Sequence, residues 1–485
     1  MRNRKIKSAY ELGCERIIAS DYKVDKNKES SEENDNILPE NIDDWSDFLY
    51  GDKISIDFID DKTKPNMGFS ESLLDNKKKQ IKPKDNVKKN SKGEIMVKNK
   101  ETVNYSSDLM GVHWYGNFTS YSGFSRLNRA MAFGLSNRNV KVKADMQNTS
   151  VDVNESTLRE IERLSRNDVD SDAPKVFSAT VPLNMFHGGK KISYTMIETS
   201  ETMHKDYVGK LNLFDEIWVP TDYSKKMFKN NGVSPHIEVM PLGVDTERYN
   251  DNVNPMKLNM RLKSFVFISV FKWGYRKGYD ILLKSFMEEF NSSDDVSLLI
   301  VSRTDVHHKP EIIINDFNNV KQTIMKDEKD LPHISLYDKP IKEKDMPRIY
   351  KAGNAFVLIS RGEGFCLPIY EASACGLPII SSNCSGQKEL LERGGAFTVD
   401  PEGYSKASIN GNMSKLAKHC GFYDGQIFPE FGRESIDQVK SHMRSVYENY
   451  EEAKKYSKKL TTIVHNDFSW DNAVDKVYNR LCELI

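Results

Sequence analysis

Only six of the 485 residues are cysteine (Cys14, Cys366, Cys375, Cys384, Cys420 and Cys482). No two are spaced C-x-x-C, so a disulfide framework and the usual zinc or redox motifs are not expected. Reduced thiols, and with them a cytoplasmic setting, are the expectation. Long apolar runs are also missing. No stretch reaches the ~18 apolar residues of a membrane-spanning helix, and the basic N-terminus MRNRKIKSAYELGCERIIAS has no apolar core of a secretory signal. Net charge is nearly absent, at −1 formally, which leaves no global field to steer the chain toward nucleic acid or a lipid surface. The apolar share is low as well, at 38%, and it is unevenly distributed.

The deficit lies in residues 1–105. Residues 1–61 carry 9 basic and 16 acidic side chains, a net of −7, and residues 62–105 carry 12 basic and 5 acidic, a net of +7. The basic block includes NKKKQIKPKDNVKKNSK (76–92), with two apolar residues in seventeen, too few to nucleate a core. The expectation is a largely disordered, solvated extension, with its Lys-rich stretch 77–92 as a possible peripheral contact. No repeat of 20–50 residues is visible.

From residue 108 the pattern changes. Short β-branched and aromatic runs are expected as strands at Met110–Tyr115, Val140–Ala144, Lys175–Val181, Ile192–Ile197, Glu216–Val219 and Ile237–Met240. After a polar break near residues 245–262 come Phe265–Val270, Val296–Val301, Ile334–Tyr337, Ala355–Ile359, Pro378–Ser381 and Ala396–Val399. Helical patterns lie between most of them; in Tyr279–Phe290 the apolar residues fall at 281, 282, 283, 286, 287 and 290. Strand–helix alternation predicts parallel, doubly wound sheets. Twelve strands exceed one such sheet, so two α/β domains are expected, and ligands of such sheets bind in loops beyond the strands' carboxyl ends.

Three loops in those positions carry chemistry. The segment Arg361-Gly-Glu363-Gly-Phe-Cys-Leu-Pro-Ile-Tyr-Glu371 follows a strand and opens a helix near Leu367 and Pro368, with Gly376 as its stop signal. Free N–H groups at that helix start suit an anion, and carboxylates at 363 and 371 suit hydroxyls at two ends of a ligand. The segment Lys272-Trp-Gly-Tyr-Arg276-Lys277-Gly278 puts cations in a Gly-containing loop, as a diphosphate requires. The segment Trp114–Ser125, with Gly116 and Gly123, is a looser phosphate-approach loop. Asp168-Val-Asp170-Ser-Asp172 has the Asp-x-Asp form of a metal site, but its polar setting between helix and strand reads as a solvated turn. The His307–His308 pair and His187 read as loop residues.

The segments EGFCLPIYEASACGLPIISSNCSGQKELL (363–391), RKGYDILLKSF (276–286), DEIWVPTDYSKKMF (215–228), VMPLGVDTERY (239–249) and FSW (468–470) resemble family 4 of the retaining glycosyltransferases, which have the GT-B fold. The resemblance spans about residues 108–485. It implies two Rossmann-like domains facing a cleft: an acceptor domain at 106–250, a nucleotide-sugar domain at 251–465, and a helix at 466–485 crossing back to the first. It implies transfer of a hexose from a UDP- or GDP-sugar to an acceptor hydroxyl, without a metal; an inactive nucleotide-sugar-binding scaffold is the alternative. A glycan, lipid or protein acceptor is expected ahead of nucleic acid.

By the same resemblance Lys277, with Lys272 or Arg276, neutralises the diphosphate. Glu363 and the backbone of Gly364, Phe365, Cys366 and Leu367 hold the donor sugar. Glu371 binds the ribose, and the loop of Lys339 and Ile341 holds the base. Gly123 lets the N-terminal loop approach the donor, and Glu198 contacts sugar or acceptor. One departure stands out: Cys366 occupies the position of the family's second glycine in Gly-Phe-Gly-Leu-Pro. With φ positive there, a Cβ costs about 1 kcal/mol; with ordinary backbone, the side chain only narrows the sugar pocket. No histidine adjoins it in sequence, which argues against a catalytic thiol.

Overall fold

The structure, a computed structural model, describes residues 111–146, 153–179, 188–302, 310–411, 413–419 and 423–484. The N-terminal extension with its Lys-rich stretch, His187, and the His307–His308 pair lie outside the described residues.

Two six-stranded sheets form the frame. The first contains β1 (Val112–Gly116), β2 (Val142–Met146), β3 (Lys175–Ser178), β4 (Lys191–Tyr194), β5 (Glu216–Val219) and β6 (His236–Val239), in the spatial order β2-β1-β3-β4-β5-β6. The second contains β7 (Phe265–Val270), β8 (Val296–Val301), β9 (His333–Tyr337), β10 (Ala355–Leu358), β11 (Ile379–Ser382) and β12 (Phe397–Val399), in the order β12-β11-β10-β7-β8-β9. Every pairing within both sheets is parallel. All twelve expected strands are present. The uninterrupted apolar runs make sense here, because a parallel sheet covered by helices on both faces buries consecutive residues; β8, Val-Ser-Leu-Leu-Ile-Val, is buried along its whole length.

The strand order places the functional loops. In the second sheet the chain runs outward through β7, β8 and β9, then returns to lay β10 beside β7. The connections leaving β7 and β10 run to opposite sides, which makes the carboxyl ends of these two strands the switch point at which such sheets bind ligands. These are the loops carrying Lys272–Gly278 and Arg361–Cys366. In the first sheet the same reversal falls between β1 and β3, so the Gly123 loop leaves a switch point too.

The polar segment after β12 holds an element the sequence pattern did not reveal. β13 (Gly403–Lys406) and β14 (Ile427–Glu430) form an antiparallel ribbon. It closes a small core of Ala407, Ala417, Tyr423 and Phe428, against which Tyr275 packs. The ribbon reaches the loop beyond β4, where Ser200 N–H donates to Ile427 O at 2.7 Å and Ile427 N–H to Thr202 Oγ1 at 3.0 Å.

The last helix, Trp470–Glu483, is capped by Ser469, whose hydroxyl accepts the Asn472 N–H. It buries Ala473, Val474, Val477, Tyr478 and Leu481. Val474 meets the helix Gly123–Ser136 at Gly134, where a Cβ would sit 2.5 Å from a Val474 methyl. Ion pairs reinforce this docking. Arg138 reaches Asp475 at 2.6 Å, and Arg480 grips Glu216 of β5 with two bonds of 2.9 Å.

Candidate functional site

The loop after β7 ends in a short turn, Tyr275–Lys277, and Gly278 follows with φ +68°. A Cβ on Gly278 would lie 1.7 Å from the carbonyl oxygen of Ile359 at the end of β10. Only glycine lets the two switch-point loops come this close. Arg361 then ties them together. It is 3% exposed, makes a bidentate pair with Asp280 at 2.8 and 2.7 Å, lies 3.8 Å over the Tyr275 ring and donates to Tyr275 O at 2.8 Å.

That closeness brings the expected charges into one cluster. Lys277 Nζ bonds Glu363 Oε1, and Arg276 lies 3.5 Å from the same oxygen. The other arm of Arg276 is 3.7 Å from Glu198, which comes from the far side of the cleft. Ser360 Oγ donates to Glu363 Oε1 at 2.8 Å. The backbone of Glu363 is held at both ends: its N–H donates to Ser385 Oγ at 2.9 Å, and its carbonyl accepts the Gly386 N–H at 2.8 Å. Burial raises the pKa of Glu363, but Lys277 and Arg276 outweigh that and hold the carboxyl below the usual range. The glycines on either side are needed for the approach of the other half. A Cβ on Gly362 would fall 1.9 Å from Glu198 O, and one on Gly364 would fall 2.6 Å from the Met196 side chain.

The helix Leu367–Ala374 starts immediately after this cluster. Its cap, Cys366, has φ 71° and ψ 58°, so of the two readings of the departure the positive-φ one holds. The side chain is buried, and burial, with Glu363 nearby, pushes the thiol well above its ordinary pKa. It is therefore a protonated thiol at neutral pH, unlike an activated nucleophile. Phe365 stacks on Tyr370 at 4.1 Å, which anchors the loop. One turn into the helix, Glu371 is 1% exposed. The Tyr350 hydroxyl donates to its Oε2 at 2.7 Å, and Arg126 occupies its Oε1.

Across the cleft the Gly123 loop is ordered by its own polar groups. Asn117 Oδ1 accepts the Thr119 N–H at 3.0 Å, the Ser120 N–H at 3.2 Å and the Ser125 hydroxyl at 2.8 Å. Arg129 donates to Phe118 O and Ser120 O at 2.7 and 2.9 Å and pairs with Glu343 at 2.9 Å. A Cβ on Gly123 would lie 3.8 Å from Leu367, so this loop faces the start of the Leu367 helix.

The structure thus gathers Glu363, Lys277, Arg276 and Glu198 in one cluster, with Gly364–Leu367 beside it, Gly123 opposite and Glu371 one helical turn deeper. Lys272 is exposed on the same loop as Lys277, between buried Phe271 and Trp273. Lys339 and Ile341 are half-buried in the loop after β9, which runs on to Glu343. Asp168, Asp170 and Asp172 are exposed in the turn before β3, at the amino end of that strand, where Asp170 Oδ1 accepts the Asp172 N–H at 2.8 Å. Among the described residues, no group of three or more His, Cys, Asp and Glu side chains is arranged to hold a metal. Sequence reasoning missed Arg126, Tyr350 and Tyr423, whose hydroxyl donates to Glu198 Oε2 at 3.2 Å. Only Arg126 had a signal, as a cation three residues after Gly123.

Residues 263–416 match the family model described as Glycosyl transferases group 1. The chain is 25% identical over 194 residues to mannosylfructose-phosphate synthase of Agrobacterium fabrum, covering 39% of this chain and 41% of that one. It is 31% identical over 163 residues to UDP-Gal:alpha-D-GlcNAc-diphosphoundecaprenol alpha-1,3-galactosyltransferase of Escherichia coli, covering 32% and 39%. The chain therefore spans about two-fifths of the length of these curated relatives. Its structure is similar to the crystal structure of HepE from Anabaena in complex with UDP-glucose, with a TM-score of 0.55 at 12% identity, covering 77% of this chain and 100% of that one. That likeness, with the two parallel sheets, shows a two-domain α/β fold of the GT-B type. No helix among the described residues is long and apolar enough to cross a membrane.

Proposed function

We propose that the chain is a cytoplasmic, retaining glycosyltransferase of family 4 that moves a hexose from a UDP- or GDP-sugar to an acceptor hydroxyl without a metal. The observation that carries this reading is the cluster of Glu363 with Lys277 and Arg276 at the switch point of the second sheet, facing Gly123. The domain division that goes with it is 106–250 for the acceptor, 251–465 for the donor, and 466–485 as the helix returning to the first domain.

Breaking the bond between a sugar and a nucleoside diphosphate builds negative charge on the leaving phosphate and positive character on the anomeric carbon. Lys277, Arg276 and Lys272 stabilise the first, together with the N–H groups of Gly364–Leu367 at the helix start. Glu363 accepts hydroxyl hydrogens of the donor sugar, Glu371 those of the ribose, and the loop of Lys339 and Ile341 receives the base. Glu198 contacts the sugar or the incoming acceptor. A carboxyl whose pKa two cations hold down, as that of Glu363 is, is a weak base toward the acceptor's hydroxyl. That favours a front-face displacement in which the leaving phosphate takes the acceptor's proton. UDP-glucose bound to the HepE structure and the UDP-Gal named for the Escherichia coli relative support a UDP-sugar as the first donor to try.

The test incubates the full chain with UDP- and GDP-hexoses in EDTA and follows nucleoside-diphosphate release, with the anomeric configuration of the product read by NMR. Release that survives EDTA, with the donor's configuration kept, is expected. Binding of a nucleotide with no turnover of any donor would favour the scaffold reading, and inversion would overturn retention.

A further inference from the structure

The charges of the cleft are satisfied among themselves. Three carboxylates, Glu198, Glu363 and Glu371, face three cations, Arg276, Lys277 and Arg126. A donor that places hydroxyls on the carboxylates and a diphosphate on the cations competes with these pairs for the same groups. Glu371 makes the conflict sharpest. It is 1% exposed, and both of its oxygens are taken, one by the Tyr350 hydroxyl and one by the Arg126 guanidinium. Arg126 comes from the other half of the molecule, 245 residues away in sequence, and its Nη2 also lies 3.4 Å from the Tyr249 hydroxyl.

Resting on the donor reading above, we infer that Arg126 is a nucleotide-site residue that changes partner. In the structure it holds Oε1 of Glu371, the carboxylate assigned to the ribose in the donor reading. When the donor binds, the ribose hydroxyls take that place and the guanidinium moves to the diphosphate. The displacement required is small. Glu371 lies one turn inside the Leu367–Ala374 helix, and one turn is about 5.4 Å of rise. Arg126 sits in the first turn of its own helix, three residues after Gly123, which faces Leu367 at the phosphate end. A guanidinium that leaves one carboxylate oxygen finds in a diphosphate an acceptor of the same sign that can take both of its arms. Lys277 follows the same logic, leaving Glu363 for phosphate as the sugar hydroxyls reach Glu363.

Partner exchange has a consequence that a scaffolding role lacks. A nucleoside without phosphates displaces Arg126 and offers it nothing in return, whereas the diphosphate compensates it. Removing the guanidinium therefore lowers the diphosphate's affinity relative to the nucleoside's. The experiment titrates the full chain with uridine and with UDP by calorimetry, with the guanosine/GDP and adenosine/ADP pairs in parallel. In Arg126→Gln, whose amide still donates to Glu371, the nucleoside binds severalfold tighter. The ratio of diphosphate to nucleoside affinity falls about tenfold, the share of one charge-assisted bond to phosphate. Arg126→Lys keeps the charge but not the guanidinium fork and should lower the same ratio by a smaller factor. It carries the test alone if the Gln variant fails to melt cooperatively. Affinities that fall together, as a structural role of Arg126 requires, or that do not change, overturn the exchange. A wild-type chain that binds none of the three diphosphates overturns the donor reading instead, so the two failures are distinct.

Discussion

Replacing Gly278 by alanine tests how the switch-point loops are held. The change adds one methyl group at a residue with φ +68°. The αL region costs a residue with a Cβ about 1–2 kcal/mol. The methyl would also lie 1.7 Å from Ile359 O and 2.8 Å from Ile359 C, whereas carbon–carbon contacts prefer about 3.5 Å or more. Both obstructing atoms are backbone, and Ile359 is fully buried at the end of β10, so no side-chain rotation relieves the clash. Forcing such an overlap typically adds about 1–3 kcal/mol. The sum is about 2–5 kcal/mol, set against a total stability of about 5–15 kcal/mol. Urea unfolding followed by circular dichroism should show a midpoint lower by about 1 M or more. Gly274→Ala is the control in the same loop: φ there is 164°, an extended value open to any residue, and a Cβ meets nothing within 4 Å. Its unfolding free energy should stay within about 0.5 kcal/mol of wild type. Because Lys277 precedes Gly278 directly, UDP affinity should fall in the Gly278 variant and persist in the Gly274 variant. Equal midpoints for the two variants would refute the reasoning.

Glu363→Gln should cost about 1–3 kcal/mol at neutral pH, because it leaves the half-buried Lys277 and Arg276 without their carboxylate. The folded pKa of Glu363 lies below the unfolded value of about 4.3. Its contribution is therefore complete above that value and is lost as pH falls through the folded pKa; a gap between wild type and variant that already closes between pH 7 and 5 would contradict this. Native-state alkylation should label the exposed Cys482 and spare the buried Cys366, Cys375 and Cys384; rapid modification of Cys366, read by peptide mass spectrometry, would reject the inert-thiol assignment. Arg480→Ala should cost about 2–3 kcal/mol, since Glu216 is 1% exposed and loses both bonds to the guanidinium. Limited proteolysis should then cut the Trp470–Glu483 helix first, and an unchanged digestion pattern would count against that ion pair as the helix's clasp.

Both sheets were legible in the chain because a buried parallel strand needs an apolar run, and such runs lie between helical patterns throughout residues 110–400. The ribbon β13–β14 was not, since Gly403-Tyr-Ser-Lys406 has no apolar run and its partner lies past residue 426. Of the candidate site, the loops with Lys277 and Glu363 could be placed because each directly follows a strand, and strand ends are where such folds open. Cys366 could not be resolved from sequence, because the sign of φ there depends on how the surrounding loops close; the structure puts it in αL.

The amino-acid sequence by itself determined the alternation of strands and helices, the division into two sheets, the cation loop, and the placing of Glu363 before a helix and Glu371 within it. Each of these is local, recorded in the period and composition of a single element. Tertiary structure alone decided who meets whom. It set Arg126 on Glu371, Glu198 beside Arg276 with Tyr423 behind it, and Arg480 on Glu216. Those pairs join segments between 78 and 264 residues apart, and periodicity tells only which face a residue presents. The partner across the cleft depends on how the two sheets dock.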